Sequence, residues 1–430
     1  MVMGLKWRRL GSVAGALAAG LLFAVSALAQ TAKEPSGEPI TIGFSMALTG
    51  PLAVNGKSGL LATQIWAEDV NAKGGLLGRP VKLVYYDDQS NPSQVPGIYT
   101  KLLDVDKVDF VVSGYATNIS APAMPIVIGH DKTFISLFAL DINEEFNYPK
   151  YFSMLPTGPE PRRALTQGFF EIIKAHKDRL GLKTIAIATG DGEATRNGTD
   201  GARENAKEAG LRIVYDRTYP LNTADFTPVV RALQATNADV ILISSYPADS
   251  VGIIRSANEL GLKAKVFGGN MTGPQSTSIK TSLGPMLNGI ITFDWWLPAP
   301  KMMFPGVAAF LERYQARAGG EGVDPLGYYL GPWAYARMQV LGDAIEGTKS
   351  LDQQKVADYI RDNTFNTVVG DVKFGKKGEW DRARILAVQF QNIAGTSLDD
   401  FRDGKGEVVV WPEAYKAGDV ILPYTEAKGK

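Results

Sequence analysis

Cysteine is absent from all 430 residues, so no disulfide and no lipid-bearing cysteine contributes to this chain. A chain of this length buries enough surface to be stable without cross-links. Histidine is nearly absent as well. His130 and His176 each lie beside charged neighbours, a pattern of solvated surface histidines rather than catalytic ones. No HExxH, GxSxG or Walker A pattern occurs. Thr189-Gly190-Asp191-Gly192 follows a strand-like run but lacks the third glycine of a dinucleotide loop. The sequence thus offers no enzymatic chemistry and calls for no cofactor and no metal. Net charge is missing too: 45 Lys+Arg balance 45 Asp+Glu, and the basic stripe of a nucleic-acid binder is not there.

What is present begins with a distinct N-terminus. Lys6, Arg8 and Arg9 precede an uncharged apolar run over 10–28 that ends in Ala27-Leu28-Ala29. This reads as a cleaved signal peptide, 1–29; an uncleaved anchor is disfavoured by the small-residue exit and the polar stretch after it. Arg8-Arg9 leaves the twin-arginine route open beside the general one. Removing those three cations leaves 42 positive against 45 negative residues. No second long apolar run follows, so a soluble, exported protein of the periplasm is expected.

The remaining chain alternates apolar strand-like runs with helical ones. Strands are expected at 41–46, 81–86, 110–112 and 134–137, with helices at 56–71, 96–105 and 122–129. A second series adds helices 161–180, 201–209, 227–236 and 250–260, and strands 184–188, 212–219, 240–244 and 265–267. These strands are continuously apolar, as strands covered by helices on both faces are. The expected fold is α/β, with two doubly wound lobes joined by a multi-strand hinge. Residues 40–156 plus 295–368 would form lobe 1, and 157–294 plus 369–424 lobe 2. Helices near 307–318 and 333–346 would return to the first lobe.

The ordered motifs Leu48-Thr49-Gly50-Pro51, 71–80 (NAKGGLLGRP) and 86–92 (YDDQSNP) resemble the opening of the leucine/isoleucine/valine-binding family, the type I periplasmic binding proteins of ABC importers. The resemblance continues through 185–203, Ser245-Tyr246, 261–263 and 367–378. Asp87-Asp88 has the residue types of an acid/base pair, but adjacent residues on a strand end point opposite ways, so capping of a turn is the expected role.

The resemblance implies a ligand site on loops at the carboxyl ends of the strands. By position, lobe 1 would supply Asn55, Tyr115, Ala116, Thr117, Asn118, Phe138 and Leu140, and lobe 2 Asn197, Tyr246 and Asn270. Trp295 is a further candidate wall, with core or hinge packing of Trp295-Trp296 and Tyr328-Tyr329 equally open. Amino-acid binders of the family carry a hydroxyl residue where Leu140 stands and a Glu where Asn270 stands. Without that Glu a buried ammonium has no counter-charge, which costs several kcal/mol. The implied ligand is therefore a small carboxylate with an apolar or aromatic body. Asp191 or Glu193 could restore the charge, which keeps amino acids open. The implied partners are this small molecule and the permease subunits of an ABC importer, with the chain a monomer. A periplasmic sensor component is the alternative role.

Overall fold

In the computed structural model of the chain, which describes Met1, residues 34–221 and residues 223–428, the apolar runs form parallel strands covered by helices. Apart from Met1, the expected signal peptide lies outside the described residues. The chain opens with β1 (Ile40–Met46), α1 (Ala53–Ala72), β2 (Val81–Asp87), α2 (Val95–Thr100) and β3 (Phe110–Tyr115). It continues through α3 (Thr117–Ser120), α4 (Met124–Gly129), β4 (Phe134–Leu137), α5 (Ile142–Phe146) and β5 (Tyr151–Ser153). These five strands make one parallel sheet in the order β2-β1-β3-β4-β5.

The second series comprises α6 (Pro161–Leu180), β6 (Thr184–Gly190), α7 (Glu193–Glu208), β7 (Arg212–Tyr219) and α8 (Thr227–Ala235). It proceeds with β8 (Val240–Ser245), α9 (Pro247–Glu259), β9 (Val266–Met271), α10 (Thr277–Leu283) and β10 (Ile291–Asp294). Three helices follow, α11 (Val307–Glu321), α12 (Gly331–Thr348) and α13 (Gln353–Asp362), then the hairpin β11 (Phe365–Thr367) and β12 (Gly370–Val372). Finally β13 (Leu386–Phe390) and β14 (Glu407–Trp411) join antiparallel to complete a sheet ordered β14-β13-β10-β9-β8-β6-β7.

Local chemistry explains these elements. Every residue of β8 is buried, as in a strand sandwiched between helix layers. Proline at the first position of α6 and left-handed Gly181 (φ 60) after it mark a helix with defined ends. Asp352 caps α13 by accepting from Lys355 N at 2.9 Å. The helix α1 is apolar on several faces because it packs against both α11 and α12 as well as its sheet. Gly342 permits this closeness: a Cβ there would stand 2.8 Å from Trp66 Cζ2.

Two doubly wound lobes result, and the chain passes between them after β5, after β10 and before β13. The structure corrects the expected extent of lobe 2. Segment 369–381 stays with the first lobe, because β12 pairs with β11, Gly378 accepts from Ser153 N at 2.8 Å, and Lys377 O accepts from Asn143 Nδ2 at 2.8 Å. The third passage therefore lies at 382–385, where Arg384 N bonds Pro156 O of the first passage at 2.8 Å. A second correction concerns α7, expected from Gly201 but beginning at Glu193. Thr195 Oγ1 accepts from Gly192 N at 3.3 Å and donates to Gly190 O at 2.5 Å, which closes the first turn. Elements α5 and β5 had no clear periodic signal, being only five and three residues long.

Candidate ligand-binding site

Open α/β sheets bind ligands beyond the carboxyl ends of strands where the strand order reverses. In lobe 1 that point lies between β1 and β3, and in lobe 2 between β6 and β8. A cavity of about 780 Å³ lies between the lobes at these two points.

From lobe 1 the cavity receives Asn55 on α1, Tyr115 to Asn118 after β3, and Phe138 and Leu140 after β4. The backbone there is strained. Ala116 (φ 81), Phe138 (φ 54) and Asp141 (φ 53) are non-glycine residues at positive φ, each costing about 1–3 kcal/mol. The strain aims two turns at one space, and Thr117 Oγ1 ties them by accepting from Leu140 N at 3.0 Å. Asn55 Nδ2 donates to Tyr115 OH at 3.2 Å, and Tyr115 OH shares a hydrogen bond of 2.9 Å with Tyr329 OH. Burial pushes both phenols above their ordinary pKa, Tyr329 well above, so the pair is neutral at physiological pH. Phe138 is fixed from behind by Trp295, Tyr329 and Trp333, with ring centroids at 5.3, 5.6 and 5.7 Å.

Lobe 2 contributes Glu193, Ala194 and Asn197 from the first turns of α7, Tyr246 before α9, and Thr272, Gln275 and Ser276 after β9. Because α7 starts early, Glu193 and Asn197 share one helix face at i, i+4. Tyr246 lies close over Gly192, where a Cβ would come within 2.5 Å of its Cε2. Arg162 of α6 reaches the cavity from lobe 2 and pairs with Asp141 of lobe 1 at 3.8 Å. Burial nevertheless holds Asp141 above the usual carboxylate range.

Two expected residues do not open on this cavity. Asn270 is 4% exposed and points under α7, where its Nδ2 donates to Ser244 Oγ at 2.9 Å. The strand alternation turns its side chain inward, so its identity says nothing direct about an ammonium clamp. Trp295, 5% exposed, backs Phe138 without lining the cavity. Trp296 is fully buried, donating from Nε1 to Met302 O at 3.1 Å, and meets Tyr328 edge to face. Of the neighbouring tyrosines only Tyr329 faces the cavity. Of the two acids that could restore the charge, Glu193 lines the cavity while Asp191 is paired with Arg196 at 2.8 Å.

Several lining residues were not anticipated, Arg162, Asp324 and Glu145 among them. Arg162 sits just inside the Pro-led start of α6, which is the one local signal that placed it near a passage between lobes. The Asp87-Asp88 pair caps turns: Asp87 accepts from Leu48 N at 2.9 Å and Thr49 Oγ1 at 2.7 Å, and Asp88 from Ser90 N at 3.0 Å. Neither histidine lines the cavity; His130 bonds Asp104 at 2.8 Å on the surface.

A family model described as periplasmic binding protein matches residues 39–392. The Leu/Ile/Val-binding protein homolog 7 of Brucella abortus is 27% identical over 418 residues, covering 94% of this chain and 98% of the relative. Among solved structures, the branched-chain amino acid transporter substrate-binding protein of Streptococcus pneumoniae in complex with isoleucine is 18% identical, with a TM-score of 0.69. That alignment covers 90% of this chain and 100% of the other. A solute-binding protein of an ABC transporter from R. palustris in complex with 4-hydroxybenzoate is 21% identical at TM-score 0.66, covering 83% and 94%. The lobes, the cavity between them and the matched span agree: this chain, similar in sequence to Leu/Ile/Val-binding protein homologs, belongs to the periplasmic binding protein family.

Proposed function

We propose that the cavity captures a small carboxylate with an apolar or aromatic body, and that the periplasmic, monomeric chain delivers it to permease subunits at the inner membrane. The observation carrying this reading is the lobe 1 wall, where Tyr115, Phe138, Leu140 and Tyr329 adjoin the amide and hydroxyl donors of Asn55, Thr117 and Asn118. Neutral rings supply apolar area, while the donors and the first N–H groups of the helical run from Thr117 take the carboxylate. That one structural neighbour holds 4-hydroxybenzoate is consistent with this chemistry.

A second reading, an amino acid, is favoured by one feature: Glu193 and Glu145 enter the cavity from opposite lobes, and either would neutralise an ammonium. Calorimetry with 4-hydroxybenzoate, benzoate, leucine and valine separates the two. Heat from the aromatic acids at micromolar affinity supports the first. Leucine binding that Glu193→Gln abolishes, with no heat from the aromatic acids, establishes the second instead.

A further inference from the structure

Beside the cavity, one loop of lobe 1 is fastened to two separate elements of lobe 2. This loop, 322–330, connects α11 to α12, both of which pack on lobe 1. Asp324 sits at its centre and its N–H points back to Ser58 Oγ of α1 at 3.4 Å. Its carboxylate faces the other way. Oδ2 accepts from Thr277 N at 3.0 Å and Oδ1 from Thr277 Oγ1 at 2.8 Å, both at the start of α10 in lobe 2. The same Oδ1 accepts from Leu326 N at 3.1 Å and Gly327 N at 2.8 Å, so the loop itself fixes the carboxylate before it meets the second lobe. Within α10 no side chain caps the first turn, so lobe 1 supplies that cap.

The seam continues away from the cavity. Gln315 of α11 donates from Nε2 to Leu326 O at 3.1 Å, holding the loop. Its Oε1 accepts from Arg402 NH1 at 3.0 Å, in the lobe 2 connection between β13 and β14. Next to it Asp403 N donates to Tyr328 OH at 3.3 Å. Three hydrogen bonds from this loop and one from Gln315 of α11 therefore join the lobes, and none of them involves a solute.

We infer that loop 322–330 is a latch, with Asp324 as a positioning residue that sets how far the solute-free protein populates the closed arrangement. When the lobes separate, Thr277 N and Oγ1, Arg402 and Asp403 N exchange these acceptors for water. A carboxylate acceptor held in place by its own loop pays little ordering entropy on closing, and charge-assisted bonds are the stronger kind. The apparent affinity of a ligand scales with the fraction of protein already competent to bind it. The latch thus raises affinity for any solute the cavity accepts. This rests on the reading that the cavity binds solute between the lobes, but its main readout needs no solute.

Because the chain contains no cysteine, Lys82→Cys on lobe 1 and Lys263→Cys on lobe 2 give two specific spin-label sites. Distances between the labels are measured by pulsed electron paramagnetic resonance in the solute-free protein, with and without Asp324→Asn. Thr277→Val serves as a second variant, since it removes one bond from the far lobe and leaves the loop untouched. Both variants are expected to move population from the short to the long distance, with unchanged circular dichroism. With whichever of 4-hydroxybenzoate or leucine gives heat, dissociation should quicken and Kd rise about tenfold for Asp324→Asn, equivalent to about 1.4 kcal/mol. A chemical cross-link holding the lobes together should restore that affinity. Unchanged distance distributions in both folded variants overturn the latch, whether or not either probe binds; failure of both probes with shifted distances overturns only the proposed ligand class.

Discussion

Replacing Lys280 by Met tests how the root of the second passage between lobes is held. Lys280 of α10 is 2% exposed, and its ammonium bonds Glu407 of β14 and lies 4.0 Å from Asp294 Oδ2 at the end of β10. Asp294 and Glu407 are themselves 1% and 3% exposed. Burial, reinforced by the charge of Glu407, pushes Asp294 up to about 8. Asp294 therefore keeps its proton at pH 7 beside the Lys280 ammonium, whose charge and hydrogen bond draw Glu407 toward the ionised form. Methionine has the length of the lysine stem, so the substitution removes charge and spares packing. Glu407 is then a buried carboxylate with no cation, and breaking a buried pair from one side costs about 3–5 kcal/mol.

Urea unfolding followed by tryptophan fluorescence measures this loss. Its pH dependence has a definite sign. Burial already raises Glu407, and without Lys280 its principal lowering contact is gone, so its folded pKa rises further. A carboxyl raised on folding contributes stability that is fully present below its unfolded pKa and is lost as pH climbs through the folded one. The Met variant should therefore come nearest to the parent at low pH and fall furthest behind it in mildly alkaline solution. The parent should itself lose stability as pH rises from about 4 to about 8, through Asp294. Adding Glu407→Gln to the variant should recover part of the loss, because no uncompensated charge remains. A deficit under about 1 kcal/mol that is flat with pH would falsify this reasoning.

Tyr246→Ala should weaken solute binding by calorimetry while leaving the urea midpoint within error, since Tyr246 is only half-buried and stands at the cavity edge; unchanged affinity removes it from the site. Gly192→Ala places a methyl 2.5 Å from Tyr246 Cε2, so the ring must swing aside, and binding should fall with little change in stability. Gly201→Ala is expected to cost about 1–3 kcal/mol in unfolding free energy, because its Cβ would lie 2.2 Å from the backbone oxygen of Arg162 and drive α7 from α6.

The readable parts of the site are those built from one strand end and the turn after it. Tyr115 to Asn118, Phe138 and Leu140 stand at or just after strand ends and Asn55 on the first helix, and the family resemblance carried over by position is what picked them out. Asn270 shows the limit of the same logic: being at a strand end was legible, but which way β9 turned its side chain depended on its register against β8 and on α7 lying above. Trp295 similarly stands at a passage between lobes, where one rotation separates lining from backing. For Tyr329 the sequence leaves wall and core equally open, and Asp324 was beyond reach, because they meet Tyr115 and Thr277 from 214 and 47 positions away.

The sequence by itself determined the two α/β series, their helix and strand order, the capping turns at Asp87-Asp88, and the absence of catalytic motifs. Those features arise from hydrophobic period and local turn chemistry, which act over a few residues. Tertiary structure alone decided that 369–381 stays on the first lobe, that Glu193 rather than Asp191 enters the cavity, and that one carboxylate bridges the lobes. Each is a choice among partners distant in the chain, settled only when all the packed surfaces are satisfied together.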